Sequence, residues 1–202
     1  MNKELEKTIE NISFLPISEI RKEILYPFID YLQKKIDKNE LIRINYICSH
    51  NSRRSHLGQI WMQTLAKYFN INSITTYSGG TEATSIALPI IQTLEHQGFE
   101  IQKLSEGQNP IYAIKFDSTC HPIIGFSKKY DNKFNPNSSF AAIMTCSEAD
   151  GGCPFVAGSE IRIPITYEDP KISDNTDKQS EVYLTRSNQI ASEIYYILSK
   201  LN

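Results

Sequence analysis

A cysteine and an arginine six positions apart are the first residues of this sequence that could do chemistry together. Cys48 and Arg54 enclose the short polar stretch Ser-His-Asn-Ser-Arg, and Ser55 follows directly. A thiolate is a nucleophile, and the planar guanidinium of arginine can hold two oxygens of one anion. The pattern therefore predicts a loop that binds a tetrahedral oxyanion beside a nucleophilic sulfur.

A predicted strand and a predicted helix flank this loop. Apolar residues alternate over residues 41–47, and they recur at helical spacing from Leu57 to Tyr68. A loop between a strand and a helix N-terminus directs backbone N–H groups to one point, where the helix dipole adds partial positive charge. We expect these donors and Arg54 to stabilise the thiolate form of Cys48 and make it a nucleophile.

Each residue of the loop receives a predicted role. Arg54 stabilises negative charge that develops in the transition state, Ser55 hydrogen-bonds the Cys48 sulfur, and Asn51 braces the loop through its amide. Arg53 is expected to be a solvated side chain that adds positive potential. The predicted oxyanion-binding set is the whole loop: Ser49, His50, Asn51, Ser52, Arg53, Arg54 and Ser55.

The chain around the loop predicts one α/β domain. Residues 71–77 form a strand that ends at a turn signal, Ser78-Gly79-Gly80, and residues 88–94 form a helix stopped by Gly98. A buried strand over residues 139–146, a long polar loop over residues 146–160, an extended segment at residues 161–167 and a C-terminal helix follow. This β-α-β-α order is typical of a parallel sheet.

Two segments stand outside that order. Residues 1–40 read as a helical N-terminal extension in which Pro27 should kink or split a helix. It is expected to pack on the main domain, with a dimerisation or partner-binding arm as the alternative. Residues 99–137 read as an insertion whose antiparallel β-hairpin could cover the active site, shape the pocket or form a dimer contact.

Composition narrows the function classes. The 202-residue chain has a formal net charge of -2, which favours neither nucleic acid nor an anionic membrane as a partner. No apolar run is long enough to span a bilayer, and the charged N-terminus does not fit a signal peptide, so a cytoplasmic location is expected. The four cysteines are then expected to be free thiols, with the oligomeric state left open.

The loop from Cys48 to Ser55 resembles the oxyanion-binding loop of the low-molecular-weight protein tyrosine phosphatases and of the thioredoxin-coupled arsenate reductases that share their fold. Residues 78–83, Ser-Gly-Gly-Thr-Glu-Ala, resemble the segment after the family's second strand. The resemblance runs from about Leu41 to the C-terminus. It implies a doubly wound four-stranded parallel sheet with helices on both faces, and a catalytic domain over residues 41–202.

A second resemblance favours the reductase branch. Residues 146–154, Cys-Ser-Glu-Ala-Asp-Gly-Gly-Cys-Pro, are similar to the redox segment of those reductases, and Glu168-Asp169-Pro170 is similar to the loop with the general acid. This implies that Cys48 attacks arsenate, Asp169 supplies a proton, and Cys146 and then Cys153 form disulfides that thioredoxin reduces. No bound cofactor and no metal are expected.

Other interpretations stay open. The chain could be a small phosphatase that hydrolyses phosphate monoesters through a phosphocysteine while Cys146 and Cys153 protect Cys48 from oxidation, or a thiol sensor without turnover. Cys146 could be a core residue, and Asp169 could only begin a turn. A zinc site formed by Cys146 and Cys153 together with Cys120, His121 and His50 is disfavoured because the usual ligand spacings are lacking.

Two positions depart from the pattern of the family. His56 stands where the phosphatases usually have proline, which weakens the phosphatase branch. Gln59 stands where the potassium-binding reductases have a glutamate, which argues against activation by a monovalent cation.

Overall fold

The computed structural model describes residues 1–152 and 155–202, so Cys153 and Pro154 lie outside the described residues. Six helices and seven strands are formed there. The helices are α1 Lys3–Ser13, α2 Glu19–Asp37, α3 Arg54–Tyr68, α4 Leu88–His96, α5 Ser147–Gly152 and α6 Gln179–Ser199. The strands are β1 Ile42–Cys48, β2 Ile74–Gly80, β3 Glu100–Lys103, β4 Tyr112–Lys115, β5 Ile123–Gly125, β6 Phe140–Met144 and β7 Ser159–Pro164. A short 3-10 helix, Pro170–Ser173, precedes α6.

The main sheet has four parallel strands in the order β2-β1-β6-β7. The chain runs from β1 outward to β2 and then returns to the other side of β1, which places a topological switch point beside β1. Ligands of such sheets bind beyond the carboxyl ends of the strands at this switch point. Cys48 is the last residue of β1, and Arg54 is the first residue of α3. The sheet thus brings the predicted loop to its expected edge.

Both faces of the sheet are covered, because alternate residues of the central strands enter two different buried clusters. Ile44, Tyr46 and Ile143 pack in a large cluster with residues of α1, α2, α3, α4 and α6. Ile47 and Met144 pack in a smaller cluster that includes Ala149 of α5. The predicted fold class, a doubly wound four-stranded parallel sheet, is confirmed.

The N-terminal helices share the core of the domain. Leu5, Ile9, Leu25 and Phe28 are fully buried and belong to the large cluster. The predicted kink or split at Pro27 does not divide α2, which is continuous from Glu19 to Asp37. Pro27 is exposed, so the carbonyl that loses its helical partner can be solvated there.

The insertion forms a sheet of its own. β3 and β4 pair antiparallel as predicted, and β5, which the sequence pattern missed, adds a third strand to β4. The segment after β5 then returns to the main sheet, where Lys129 bridges to Gly80 at the end of β2. The insertion therefore ends against the edge that carries the predicted site.

Two predicted loops are regular structure instead. Residues 78–80 are the last residues of β2 and not a turn, because Gly80 pairs with Cys48 of β1 and its N–H bonds the Lys128 carbonyl. Residues 147–152, predicted as a polar loop, form α5. No described helix combines the length and the apolar character that crossing a membrane requires.

Candidate active site

The peptide groups of the loop after β1 are oriented by bonds to groups outside the loop. The carbonyl oxygens of residues 48–52 all accept hydrogen bonds, from Thr81, Glu82, Thr84, Ser127, His56 and Ala87. Within the part of the chain that the structure describes, no N–H group of residues 50–53 donates to another protein group. Because the C=O and N–H of a peptide unit point in opposite directions, these N–H groups are left facing the interior of the loop as an anion nest.

A chain of three hydrogen bonds leads to the Cys48 sulfur. The backbone N–H of Lys128 donates to Oδ1 of Asn51 at 2.9 Å, and Nδ2 of Asn51 donates to Oγ of Ser55 at 2.9 Å. Oγ of Ser55 lies 3.1 Å from Sγ of Cys48. Since Ser55 accepts from Asn51, its own hydrogen is free to be donated to the Cys48 sulfur. The predicted contacts of Asn51 and Ser55 are present.

His56 lies fully buried beneath the loop and fixes one of its peptide groups. Its Nε2 is 3.0 Å from the Asn51 carbonyl, and its Nδ1 is 3.3 Å from Oγ of Ser78. A carbonyl only accepts, so Nε2 carries the hydrogen and Nδ1 accepts from Ser78. Burial, and secondarily the positive charge of Lys128, lowers the pKa of His56 to about 3. The imidazole is therefore neutral at physiological pH.

Lys128, from the insertion, is a buried cation in the same layer. Its Nζ bonds the Phe126 carbonyl at 3.3 Å and lies 4.5 Å and 5.4 Å from the ring centroids of Phe126 and Phe134. Burial lowers the pKa of Lys128 to about 8. Ser127 beside it donates to the His50 carbonyl at 2.9 Å. The insertion thus braces the nest from below and does not cover it.

Two glycines allow this close packing. A Cβ on Gly79 would lie 2.3 Å from Cα of Tyr130, and a Cβ on Gly80 would lie 2.6 Å from the backbone N of Asn51. Any side chain at these positions would push the insertion or the loop away from β2. Gly79 and Gly80, which the sequence pattern indicated as a turn, are therefore needed for close packing of β2 against the loop and the insertion.

Arg54 is already engaged at the mouth of the nest. Its Nη1 donates to the Tyr167 carbonyl at 2.9 Å, and its Nη2 donates to Oδ2 of Asp169 at 2.7 Å. Glu148 of α5 is also close, with Oε2 3.8 Å from the same Nη2. Asp169 additionally accepts from the N–H of Lys171, so it begins a 3-10 helix as the alternative interpretation proposed and also contacts Arg54.

A cleft of about 1110 Å³ opens above this group. Ser49, His50, Arg54, Glu148, Tyr167 and Asp169 are among its lining residues. Three acidic side chains border it, Glu148, Glu168 and Asp169, together with the cations Arg54 and Lys171. An anion that enters must therefore compete with the protein's own carboxylates for Arg54.

Arg53 is not the solvated side chain that the sequence predicted. Its side chain is 14% exposed, and its Nη2 pairs with Oδ2 of Asp174 at 2.8 Å. Its Nε donates to the Tyr183 hydroxyl of α6 at 2.6 Å. The hydrogen bond to the Tyr183 hydroxyl and the ion pair with Asp174 hold the guanidinium in a partly buried site, which a sequence pattern cannot show. The Arg53 side chain therefore binds Asp174 in the segment after Tyr167, whereas the Arg53 backbone belongs to the nest.

Cys146 lies beside the nest in the smaller buried cluster that also contains Cys48. Its Sγ is 3.4 Å from Oγ of Ser49 and accepts from the N–H of Ala149 at 3.4 Å. Both thiols are free, and Cys146 begins the turn into α5. The predicted partner Cys153 lies outside the described residues. The structure thus brings Cys48, Arg54, Asp169 and Cys146 to one edge of the sheet.

The alternative metal site is not formed by the residues that the structure describes, since no group of three or more His, Cys, Asp or Glu side chains converges there. Cys120 and His121 line a separate groove with Gln59. Gln59 is buried, and its Nε2 donates to the Thr76 carbonyl at 3.3 Å.

The sequence reasoning missed the supporting residues of the site. Lys128, Ser127, Asp174 and Tyr183 lie 77 to 130 positions from the loop residues that they contact. No local spacing rule connects positions so far apart. Glu148 could have been found, because it follows Cys146 within the segment that the family resemblance had already marked.

Comparisons with known proteins bear on the fold. No family model matches the sequence, and no curated protein matches it. Among solved structures, an arsenate reductase in the phosphate-binding state is 20% identical, covers 80% of this chain and all of its own, and has a TM-score of 0.51. A low-molecular-weight phosphotyrosine phosphatase from Vibrio cholerae O395 is 14% identical over 78% of this chain and 94% of its own, with a TM-score of 0.51. A mutant of YwlE from Bacillus subtilis is 10% identical over 79% and 97%, with a TM-score of 0.50.

At these identities the shared property is the fold. The chain has the α/β fold of the low-molecular-weight phosphotyrosine phosphatases, which arsenate reductases also have. The suspected resemblance is confirmed at that level. Which reaction this chain performs has to be argued from its own residues.

Proposed function

We propose that the protein is an enzyme that uses Cys48 as a nucleophile on a tetrahedral oxyanion, and that its reaction is the reduction of arsenate to arsenite. One observation carries the first part: the carbonyls of residues 48–52 are all bonded outward, which leaves N–H groups around the point that the Cys48 thiol faces. Such a nest binds an anion without any change in the protein backbone.

The first step joins sulfur to arsenic. Arsenate binds in the nest, Arg54 turns its donors to the arsenate oxygens, and the Cys48 thiolate displaces one oxygen as water. Asp169, 2.7 Å from Arg54 and at the mouth of the cleft, supplies a proton to the departing oxygen. The product is a covalent adduct of the Cys48 sulfur with arsenic(V).

The second step moves two electrons from thiols to arsenic. The Cys146 thiolate attacks the Cys48 sulfur, the sulfur–arsenic bond breaks with its electron pair going to arsenic, and arsenite leaves. The resulting Cys48–Cys146 disulfide is attacked by the Cys153 thiolate, which frees Cys48 and forms the Cys146–Cys153 disulfide. A dithiol of the thioredoxin type then reduces that disulfide. The contact of Cys146 with Ser49, the neighbour of Cys48, supports this sequence.

A coupled assay tests the reductase proposal. Arsenate-dependent NADPH consumption is measured with thioredoxin and thioredoxin reductase present. We expect turnover by the wild type and its loss in Cys48→Ser, Cys146→Ser and Cys153→Ser. Cys120→Ser is the matched control, because this free thiol lies in another groove and should leave turnover unchanged. Turnover that survives Cys146→Ser would contradict the proposal.

A single-turnover experiment locates the first disulfide. The reduced Cys153→Ser variant receives one equivalent of arsenate without reductant. We expect one equivalent of arsenite and a Cys48–Cys146 disulfide, seen by mass spectrometry as a cross-link between the two peptides. Arsenite without that cross-link would show that another thiol resolves the adduct.

Hydrolysis of phosphate monoesters is the second candidate. The position of Asp169 favours it, because a carboxyl next to Arg54 at the mouth of the nest can protonate the leaving oxygen of an ester as well as that of arsenate. Here a phosphocysteine at Cys48 would be resolved by water, and Cys146 would not be needed. Robust hydrolysis of an aryl phosphate that survives Cys146→Ser, without arsenate-dependent NADPH consumption, would favour this function over the reductase.

A further inference from the structure

We infer that Arg53 is a positioning residue that holds the segment of residues 169–174, here called the acid segment, against the nest when a bound oxyanion takes Arg54 away from Asp169. The inference rests on the proposed oxyanion chemistry at Cys48. It concerns a contact that forms outside the anion site.

The need for such a residue follows from the contacts of Arg54. Nη2 of Arg54 donates to Asp169 in the described state. A bound oxyanion is the stronger competitor for this donor, since it lies inside the nest and Asp169 is partly exposed at its mouth. Anion binding therefore removes the direct bond that fixes Asp169, at the moment when its position matters.

Arg53 keeps a second attachment that the anion does not touch. Its Nη2 pairs with Asp174 and its Nε bonds Tyr183, which itself donates to Asp174. Nε of Arg53 also lies 3.9 Å from Oδ1 of Asp169. Asp169 and Asp174 are the N-cap and C-cap of the same 3-10 helix. Adjacent arginines thus hold the two ends of the acid segment, and only one of them faces the anion.

The contact needs an arginine and not only a positive charge. Two nitrogens of one rigid guanidinium bond two different acceptors, the Asp174 carboxylate and the Tyr183 hydroxyl. Lysine offers a single nitrogen on a flexible stem and cannot reproduce this fork. Arg53→Lys is therefore expected to restore charge without restoring position.

Dependence on the leaving group distinguishes positioning from folding. A general acid matters for a poor leaving group such as phenol and little for a good one such as p-nitrophenol. We expect Arg53→Met to lower kcat for phenyl phosphate at least roughly tenfold and kcat for p-nitrophenyl phosphate less than about threefold. Arg53→Lys should behave like Arg53→Met. An equal loss for both substrates, or no loss for either, would overturn the inference.

Lys35→Gln is the matched control for loss of a partly buried charge. The Lys35 side chain is 15% exposed, and it pairs with Glu40 and Glu160 at the opposite end of the sheet, where β7 begins. This variant removes a comparable ion pair and should keep the wild-type ratio of the two rates. A changed ratio in Lys35→Gln would show that general destabilisation explains the effect.

Amide hydrogen exchange of residues 169–176 gives a readout that needs no turnover. With inorganic phosphate added, we expect these amides to stay protected in the wild type and to lose protection in Arg53→Met. Equal protection in both proteins, with or without phosphate, would refute the role of Arg53. A wild type that turns over neither arsenate nor aryl phosphates would refute the proposed function, and the exchange result would still decide the inference.

Discussion

Two halves of the site are built in opposite ways. We call the buried residues beneath the nest the floor: Asn51, Ser55, His56, Ser78 and Lys128. We call the charged residues around its mouth the rim: Arg54, Glu148 and Asp169. The floor is buried, and its residues are joined by hydrogen bonds that are shielded from water. The rim is held by ion pairs between the buried Arg54 and the more exposed carboxylates of Glu148 and Asp169, which an anion can replace.

The difference shows how one site can be both ready for an anion and able to react. A rigid floor keeps the N–H groups oriented before the anion arrives, so no reorganisation is required at that moment. A rim of exchangeable ion pairs neutralises Arg54 when no anion is bound and releases it when an anion binds. We therefore expect floor variants to lose stability together with activity, and rim variants to lose activity or change affinity while the fold stays stable.

The largest difference between loss of activity and loss of stability is expected for the rim variant Asp169→Asn. The asparagine keeps the shape and the cap of the 3-10 helix but cannot supply a proton, so kcat for arsenate or phenyl phosphate should fall about 10²- to 10³-fold. Inorganic phosphate should inhibit more strongly, because Arg54 no longer pairs with a carboxylate. Steady-state kinetics with and without inorganic phosphate measures the fall in kcat and the inhibition constant. The free energy of unfolding in urea should equal that of the wild type. A large fall in the free energy of unfolding of this variant would contradict the expected difference between rim and floor.

The floor counterpart is Asn51→Ala. This change removes both side-chain hydrogen bonds and places alanine at a φ of +44°, which should lower the free energy of unfolding by about 2 to 4 kcal/mol and reduce activity as well. Urea denaturation measures the loss of stability, and kcat/KM measures the loss of activity.

Asn70→Ala is the control for backbone strain. Asn70 has a φ of +59° but is exposed after the end of α3, away from the site. Its substitution should cost about 1 to 2 kcal/mol and leave activity intact. If both variants cost the same, the hydrogen bonds of the floor contribute nothing measurable.

Acidification tests the floor through His56. The folded-state pKa of about 3 lies below the ordinary value of 6.5, so the unfolded chain binds the proton more readily between these pH values. The contribution of the neutral imidazole is therefore present above pH 6.5 and is lost as the pH falls, by up to about 1.4 kcal/mol per pH unit. Urea unfolding from pH 7.5 to 5 should show a steeper loss in the wild type than in His56→Gln. Parallel curves would contradict a buried neutral histidine.

The smallest effect is expected for the rim variant Glu148→Gln. Glu148 is 74% exposed and 3.8 Å from Arg54, so its carboxylate competes only weakly with an anion. Its replacement should lower KM for arsenate or an aryl phosphate about twofold to fivefold at low salt, with kcat unchanged. The difference should shrink as sodium chloride screens the pair. An increase in KM would mean that Glu148 helps to hold the substrate.

The local parts of this site could be predicted from the sequence. Cys48, Asn51, Arg54 and Ser55 lie on one strand–loop–helix unit, and Ser55 contacts both Cys48 and Asn51 within that unit. The strands and helices of the parallel sheet followed from apolar periodicity for the same reason. The failed prediction of a turn at residues 78–80 concerned positions whose conformation is set by a distant segment, since Gly80 bridges to Lys129 of the insertion.

The sequence by itself therefore determined the nucleophilic loop, the parallel sheet and the candidate thiols. Each of them depends on residues that lie within one element or in the element next to it along the chain. Only the tertiary structure decided that Lys128 fixes the amide of Asn51 and that Arg53 binds Asp174 and Tyr183. Those contacts join segments 77 to 130 positions apart. Their partners are selected by the packing of whole elements, which no spacing along the chain encodes.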